Sequence, residues 1–345
     1  MRPDLIRDPL LEWFATNARD LPWRRSKDPY AIWVSEAMLQ QTQVATVIPY
    51  YERWMARFPT VEALAHADES AALALWQGLG YYRRCRMLQM GARQIVAQGT
   101  MPQSAEAWRT IPGVGPYTAN AIASICFQEP VAVVDGNVER VFARLTASRA
   151  SGGALKRAAW KWAEAMLHKS NPGDWNQALM ELGATICTPR APDCLRCPIR
   201  HACISQSMGI QSELPLRAAK QSVVARDMYL VIPIWSSAVG LRRIPDGKWW
   251  SGLWTAPLFD TEEEASAFCE GINLPQWPRA LPPIRHTVTH HRIRLHPWIV
   301  TLDGPIPETT FVPITELPHV PMPGPHRRAV ELALTALGLE PTKSP

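Results

Sequence analysis

Two carboxylates, a glycine-rich turn and a run of thiols are the groups in this chain whose types and spacing could do chemistry. The first carboxylate is Glu36, within "VSEAMLQQTQV" at residues 34–44. Asp28 suits an N-cap and Pro29 the first helical position, so a helix starts there, and on its phase Ile32, Glu36 and Leu39 share a face with Ser35 beside them. An acid on an apolar face has two readings. It is a helix-edge Glu paired with a nearby Arg, or a partly desolvated acid whose raised pKa makes it a general acid near neutral pH. The second carboxylate, Asp135, follows four apolar residues in "VAVVDGNVERVFARL" and can cap the helix after it. Capping and catalysis are compatible, because a carboxylate at a helix N-terminus stays ionised and can face a developing cation. In "IPGVGPYTANAIAS", Gly113 and Gly115 form a tight turn that leaves backbone N–H groups at a helix start. Such a turn is either a plain helix connection or a holder for a phosphate oxygen.

The thiols lie in "CTPRAPDCLRCPIRHAC", where Cys187, Cys194, Cys197 and Cys203 are separated by six, two and five residues. Four thiols in one short loop point to a metal. Four-cysteine zinc sites usually pair two short knuckles, and only Cys194 and Cys197 form one, so an iron–sulfur cluster is preferred. Arg190, Arg196, Arg200 and His201 decorate the loop and could offer positive charge to a phosphate backbone. Cys85, Cys126 and Cys269 read as ordinary buried thiols.

The elements that must position these groups are helical from Asp28 to about Ser205, in segments such as "PYAIWVSEAMLQQ", "TVEALAHADESAALALWQGL" and "WNQALMELGATIC", with Gly, Pro or Asn-Pro at the breaks. A stretch of weak periodicity, 206–225, reads as a linker. Beyond it "DMYLVIPIW", "AVGLRR", "RIRLHPWIVTL" and "TTFVPITEL" read as strands and "GPHRRAVELALTAL" as a closing helix, which makes an all-α domain followed by an α+β domain. The 345 residues, 47% of them hydrophobic, suit two cores. No apolar run approaches a membrane span or a signal h-region, and the odd count of seven Cys argues against a disulfide framework, so a cytoplasmic protein is expected. A net charge of +5, with Arg commoner than Lys, suits planar or phosphate-bearing partners.

Taken together, "SEAMLQQTQV", "GLGYY", "IPGVGPYTA", "VVDGNVERV" and the cysteine spacing resemble the helix-hairpin-helix DNA glycosylases with a four-iron four-sulfur cluster, specifically the adenine DNA glycosylases of the MutY type. The resemblance covers about residues 20–205. It implies a catalytic all-α domain over 1–205, comprising a six-helix barrel at about 22–130, a cluster domain from 1–21 plus about 131–205, and a hairpin at 111–117. Its implied substrate is duplex DNA with adenine opposite 8-oxoguanine or guanine, bound by a monomer that flips the target nucleotide into a pocket. Carried over, Glu36 falls on the general acid that protonates adenine at N7, and Asp135 on the carboxylate that stabilises the oxocarbenium-like sugar. The apolar face around Glu36 and the cap setting of Asp135 should push their pKa values in opposite directions. Asn137 falls on a residue that orients the catalytic Asp, and Tyr117 on one beside the site, where strand-cutting relatives carry a Lys. A monofunctional glycosylase is therefore expected. Leu39, Gln40, Gln41 and Tyr81 fall on residues that wedge into the stack, Gly113 and Gly115 on the DNA-binding hairpin, and the four cysteines on the ligands of one 4Fe-4S cluster.

In the C-terminal part, "KWWSGLWTAPLF" and "RHTVTHHRIRL" resemble the Nudix-like domain of the same family, expected over 226–340. There Val288, Thr289 and His290 fall on the loop that contacts 8-oxoguanine; Thr289 keeps a hydroxyl and His290 a ring, while Val288 lacks the aromatic surface common in relatives. Glu262, Glu263 and Glu264 form a run rather than the spaced set that a Nudix hydrolase needs for metal, and read as a solvated helix start. Glu139 departs from the basic or neutral residue common at its position. The alternatives are a thymine or uracil mismatch glycosylase, a silent mismatch-binding protein and a nucleotide hydrolase; retention of both carboxylates speaks against the second and the missing Nudix box against the third.

Overall fold

The computed structural model describes residues 3–216, 222–245, 247–272 and 274–339. Residues 217–221 of the expected linker, residues 1–2 and the expected domain end at 340 lie outside the described residues. The chain divides into two compact units, one of residues 1–67 with 87–220, the other of 68–86 with 221–345.

The first unit is helical. Along the chain run α1 (Asp4–Asn17), α2 (Pro29–Leu39), α3 (Val44–Arg57), α4 (Val61–Ala65), α5 (Glu69–Trp76), α6 (Arg83–Gln98), α7 (Ala105–Trp108), α8 (Pro116–Phe127), α9 (Gly136–Leu145), α10 (Gly152–Met166), α11 (Pro172–Thr185) and α12 (Ile204–Ser207), of which α5 and the start of α6 belong to the second unit. The stretch read as one helix from Thr60 breaks in two. Thr60 Oγ1 accepts from Ala63 N at 3.2 Å to cap α4, and Asp68 takes the N-cap position of α5.

As its sequence signals, α2 starts at Asp28, whose side chain accepts from Tyr30 N at 3.0 Å. Nine consecutive residues, Tyr30 to Met38, are buried, so α2 has no solvent face over that run and any polar group on it must find a partner inside. Trp33 of α2 meets Trp108 edge-on at 5.4 Å between ring centroids. Packing there is close enough that a Cβ on Gly91 would stand 2.6 Å from Ile111 and 2.7 Å from Trp33. A separate core gathers α1, α9, α10 and α11 around Trp175, Leu179, Val138 and Ile6. It fixes the N-terminus of α9 against α11, which positions the second carboxylate.

The second unit centres on a mixed sheet of β1 (Val224–Trp235), β2 (Ala238–Arg243), β3 (Trp254–Thr255), β4 (Leu258–Phe259), β5 (Arg279–Ala280), β6 (Ile284–Val288), β7 (His291–Thr301) and β8 (Thr310–Pro313), with α13 (Glu262–Gly271) and α14 (Gly324–Leu337). The main strand order is β3-β2-β1-β7-β5, and β1 runs parallel to β7 with Val224 opposite His291 and Leu230 opposite Pro297. Because β1 begins at Val224, pairing extends into the stretch read as linker. α14 buries Ala329, Val330, Ala333 and Leu334 against Leu230, Ile232 and Leu295. Residues 68–86 fall within the span expected for the barrel, yet group here, where Tyr82 donates its hydroxyl to Met322 O at 3.4 Å and Arg86 Nη1 donates to Ser251 O at 2.5 Å.

Candidate active site

Glu36, Tyr117 and Asp135 arrive from three elements at one cavity of about 360 Å³. Ile32 and Leu39, the residues sharing a helical face with Glu36, line it too, so the phase read from the sequence is the phase observed. A cavity of this size sits within the range that holds small-molecule moieties.

Glu36 is only 7% exposed. Burial pushes its carboxyl up to about 7; the Tyr117 hydrogen bond opposes this, the Asp135 charge adds to it and Arg24 opposes it. Glu36 is thus buried rather than at a helix edge, and its hydrogen-bond partner is the Tyr117 phenol, with Arg24 acting on it only through its charge. Tyr117, the second residue of α8, lies within reach of both the Glu36 carboxyl and Met180 Sδ at 3.4 Å, and the carboxylate is the stronger acceptor.

Asp135 caps α9. One oxygen accepts from Asn137 N at 2.9 Å and Val138 N at 2.8 Å, the other from Asn137 Nδ2 at 2.7 Å. The opposite pKa displacement expected for the two acids does not occur. Burial raises Asp135 as well, and outweighs the hydrogen bonds from Val138 and Asn137 that hold it down. The reason is that Asp135 is only partly exposed where it lines the cavity, so the N-terminal donors act on a group that has lost much of its solvation. What distinguishes the two acids is their partners: Asp135 receives three donors suited to an anion, Glu36 one phenol.

Asn137 is itself held. Arg140 Nη2 donates to Asn137 Oδ1 at 2.7 Å and to Gly183 O at 2.8 Å, and Arg140 Nε donates to Cys187 O at 2.7 Å. One helical turn on, Arg144 Nη1 reaches Thr188 O at 2.7 Å and Cys187 Sγ at 3.3 Å. α9 therefore carries Asp135 at its head and two buried arginines along its length that grip the cysteine loop. Neither arginine stands out in the sequence, although their spacing of four places them on one helix face with Asn137.

The four cysteines line one small cavity together with Arg144, so the donor set expected for a cluster is assembled by the fold. Among the described residues no group of three or more His, Cys, Asp or Glu side chains is arranged for a single metal ion. Burial raises Cys197 to about 12, with the neighbouring thiols adding to the rise, so holding these groups as thiolates takes a compensating positive charge. A soft cationic cluster fits such a set.

Gln40 and Gln41, just past α2, line the cavity and also a broad groove of about 940 Å³ that contains Gly113 and Gly115. Gly113 has φ +78 and a Cβ there would stand 2.5 Å from Met87 Cβ, so only glycine fits the turn; Gly115 takes the N-cap position of α8. Arg109, Lys156, Glu139 and Glu164 share this groove, which makes its charge mixed rather than basic. Tyr81 is half exposed and belongs to the second unit, as do Val288, Thr289 and His290 at the turn between β6 and β7. At that turn Thr289 adopts φ +54 and its hydroxyl donates to Val288 O at 2.7 Å.

The family model of the HhH-GPD superfamily base excision DNA repair proteins matches residues 34–165, and that of the NUDIX domain matches 229–332. A thermostable thymine-DNA glycosylase shares the fold with a TM-score of 0.54 at 28% identity, covering 60% of this chain and 97% of that one. Adenine DNA glycosylase of Buchnera aphidicola subsp. Baizongia pistaciae (strain Bp) is 30% identical over 297 residues, 84% of this chain and 85% of its own length, and the chain belongs to the adenine DNA glycosylase family. The human adenine DNA glycosylase is 48% identical over 222 residues, which are 61% of this chain; the match spans 41% of the human protein.

Proposed function

We propose that the protein hydrolyses the N-glycosidic bond of adenine mispaired with 8-oxoguanine or guanine in duplex DNA, and does not cut the strand. The observation that carries this is the placement of a buried Glu36, raised to about 7, across one cavity from the capped Asp135. At neutral pH a group with that pKa is in part protonated and can deliver its proton to N7 of a flipped adenine. As the bond breaks, positive charge develops on the sugar, and Asp135, with its anion held by Asn137 and two backbone amides, is the group to face it. Tyr117 returns a hydrogen bond to Glu36 once the proton has left.

Leu39, Gln40, Gln41 and Tyr81 are assigned to the stack around the extruded base, and Gly113 and Gly115 to a DNA phosphate at the start of α8. Val288, Thr289 and His290 are assigned to the oxidised guanine. Cys187, Cys194, Cys197 and Cys203 would hold one 4Fe-4S cluster, whose contribution when bound is to tie the loop that Arg140 and Arg144 grip. In domain terms, the helical region to 205 is catalytic and the region from β1 onward is the lesion reader, with the linker ending before Val224, in a protein acting as a monomer on chromosomal DNA in the cytoplasm. The likeness to a thymine-DNA glycosylase favours thymine or uracil removal as the second reading.

A duplex with adenine opposite 8-oxoguanine separates them: adenine is released, and the strand breaks only after alkali. Release of thymine or uracil from G mispairs instead would replace the substrate. Borohydride should trap no efficient Schiff-base adduct, since Tyr117 offers no amine; strong trapping with concerted strand cleavage would sink the monofunctional reading.

A further inference from the structure

The cavity that Asp135 lines contains a further carboxylate that the scheme above does not use. Glu181, on α11, is 1% exposed, and both its oxygens are occupied. Arg19 donates to it from N at 3.1 Å, Nε at 2.7 Å and Nη2 at 2.8 Å, and Arg24 from Nη2 at 2.9 Å. Arg24 also donates Nη1 to Arg19 O at 3.1 Å and lies over the Phe14 ring at 5.3 Å, so each guanidinium is fixed in plane as well as in place. A buried carboxylate with two arginines adds little stability over well-packed apolar residues that would hold the same segments together.

We infer that Glu181 is a positioning residue that clamps Arg19 and Arg24 on the pocket wall and balances their charge, so that the wall does not draw Glu36 into its anionic form. This rests on the reading of Glu36 as the acid. The charged and titratable groups that face Glu36 are Tyr117 from α8, Asp135 at the head of α9 and Arg24 from the short 3-10 turn Pro22–Arg24, with Arg19 and Glu181 lining the same cavity. The two arginines offset the two carboxylates, Asp135 and Glu181, and Glu36 is left to titrate in a balanced field. Arg24 favours the Glu36 anion and Asp135 disfavours it. Removing the Glu181 charge leaves one uncompensated cation beside the acid.

The test is the titration of the Glu36 carboxyl in the full-length protein, followed by ¹³C NMR with labelled glutamate, alongside the pH dependence of single-turnover adenine release. Glu181→Gln should move the Glu36 titration down by about one pH unit and lower the rate above pH 7 about ten-fold, with the rate recovered at lower pH. Arg19→Gln, at a partly exposed side chain and with Arg24 still holding Glu181, should move it up, which gives a second variant to read should Glu181→Gln fail to fold. Unmoved titrations in the soluble variants would overturn the inference. Were the carboxyl to move while the rate profile stayed put, Glu36 would not be the acid, and the clamp would stand without that role.

Discussion

At the scale of single residues, burial decides the chemistry. Glu36 is desolvated on a helix that has no solvent face where it sits, and that environment, rather than any strong partner, raises its pKa to about 7. A carboxyl raised in the folded state stabilises the fold fully below its unfolded pKa and costs stability as pH rises through the folded value. Glu36→Gln should therefore abolish adenine release while leaving duplex binding, and should raise stability at pH 8 by on the order of 1–3 kcal/mol with little change at pH 4, as read by denaturant unfolding at the two pH values. A variant that keeps normal turnover would remove Glu36 from the mechanism. Tyr117→Phe removes the donor that holds the Glu36 anion, and should shift the alkaline limb of the rate profile upward rather than downward.

At the scale of elements, α9 and α11 make the site. α9 caps itself with Asp135 and reaches the cysteine loop through Arg140 and Arg144, while α11 supplies Glu181 and the close approach at Gly183. A Cβ at Gly183 would stand 2.6 Å from Asn137 Cβ and 3.0 Å from Asn137 O, so the two helices touch only because this residue has no side chain. Gly183→Ala should push the head of α9 outward, costing about 1–3 kcal/mol of stability and a larger share of activity, since Asn137 orients Asp135. Calorimetry and single-turnover rates check this, and unchanged rates would mean the pair is not sensitive to that spacing. Arg144→Leu should lose iron and acid-labile sulfide from the purified protein while α9 stays helical; retention of a full visible band would show that the loop does not depend on the arginine.

At the scale of the whole molecule, the second unit carries its own pH sensitivity. His326 on α14 is fully buried, its Nδ1 stands 2.7 Å from Thr255 Oγ1, and the Thr255 hydroxyl donates to Ala256 O at 2.9 Å. The hydroxyl proton being committed, Nδ1 must carry its own, which leaves Nε2 bare in apolar surroundings beside Trp250 at 4.7 Å. Burial lowers this histidine from 6.5 to about 3. A depressed folded pKa means that the unfolded chain binds the proton first, so stability is full above 6.5 and falls as pH drops towards about 3, by at most about 1.4 kcal/mol per pH unit. Thermal unfolding between pH 7 and 4 should show the C-terminal unit weakening first, and His326→Gln should flatten that slope. An unchanged slope would place the acid sensitivity elsewhere.

Much of this is legible in the sequence. Asp28-Pro29 marks the start of α2, "DGN" the cap of α9, and Gly113 its turn, because caps, prolines and left-handed glycines act within three or four residues and are written locally. α3 lies within the span read as helical but was not picked out as a segment; Pro49 sits inside it, where buried Val47, Tyr51 and Trp54 outweigh one missing hydrogen bond. Nor could the sequence by itself say that Asp135 would be raised with Glu36, that Glu181 would bind arginines more than 150 residues away, or that residues 68–86 would group with the sheet. By itself the sequence determined the chemical groups, their elements and the family they resemble. Only the tertiary structure decided which of them share a desolvated cavity, because burial and charge pairing depend on distances between segments that no local pattern encodes.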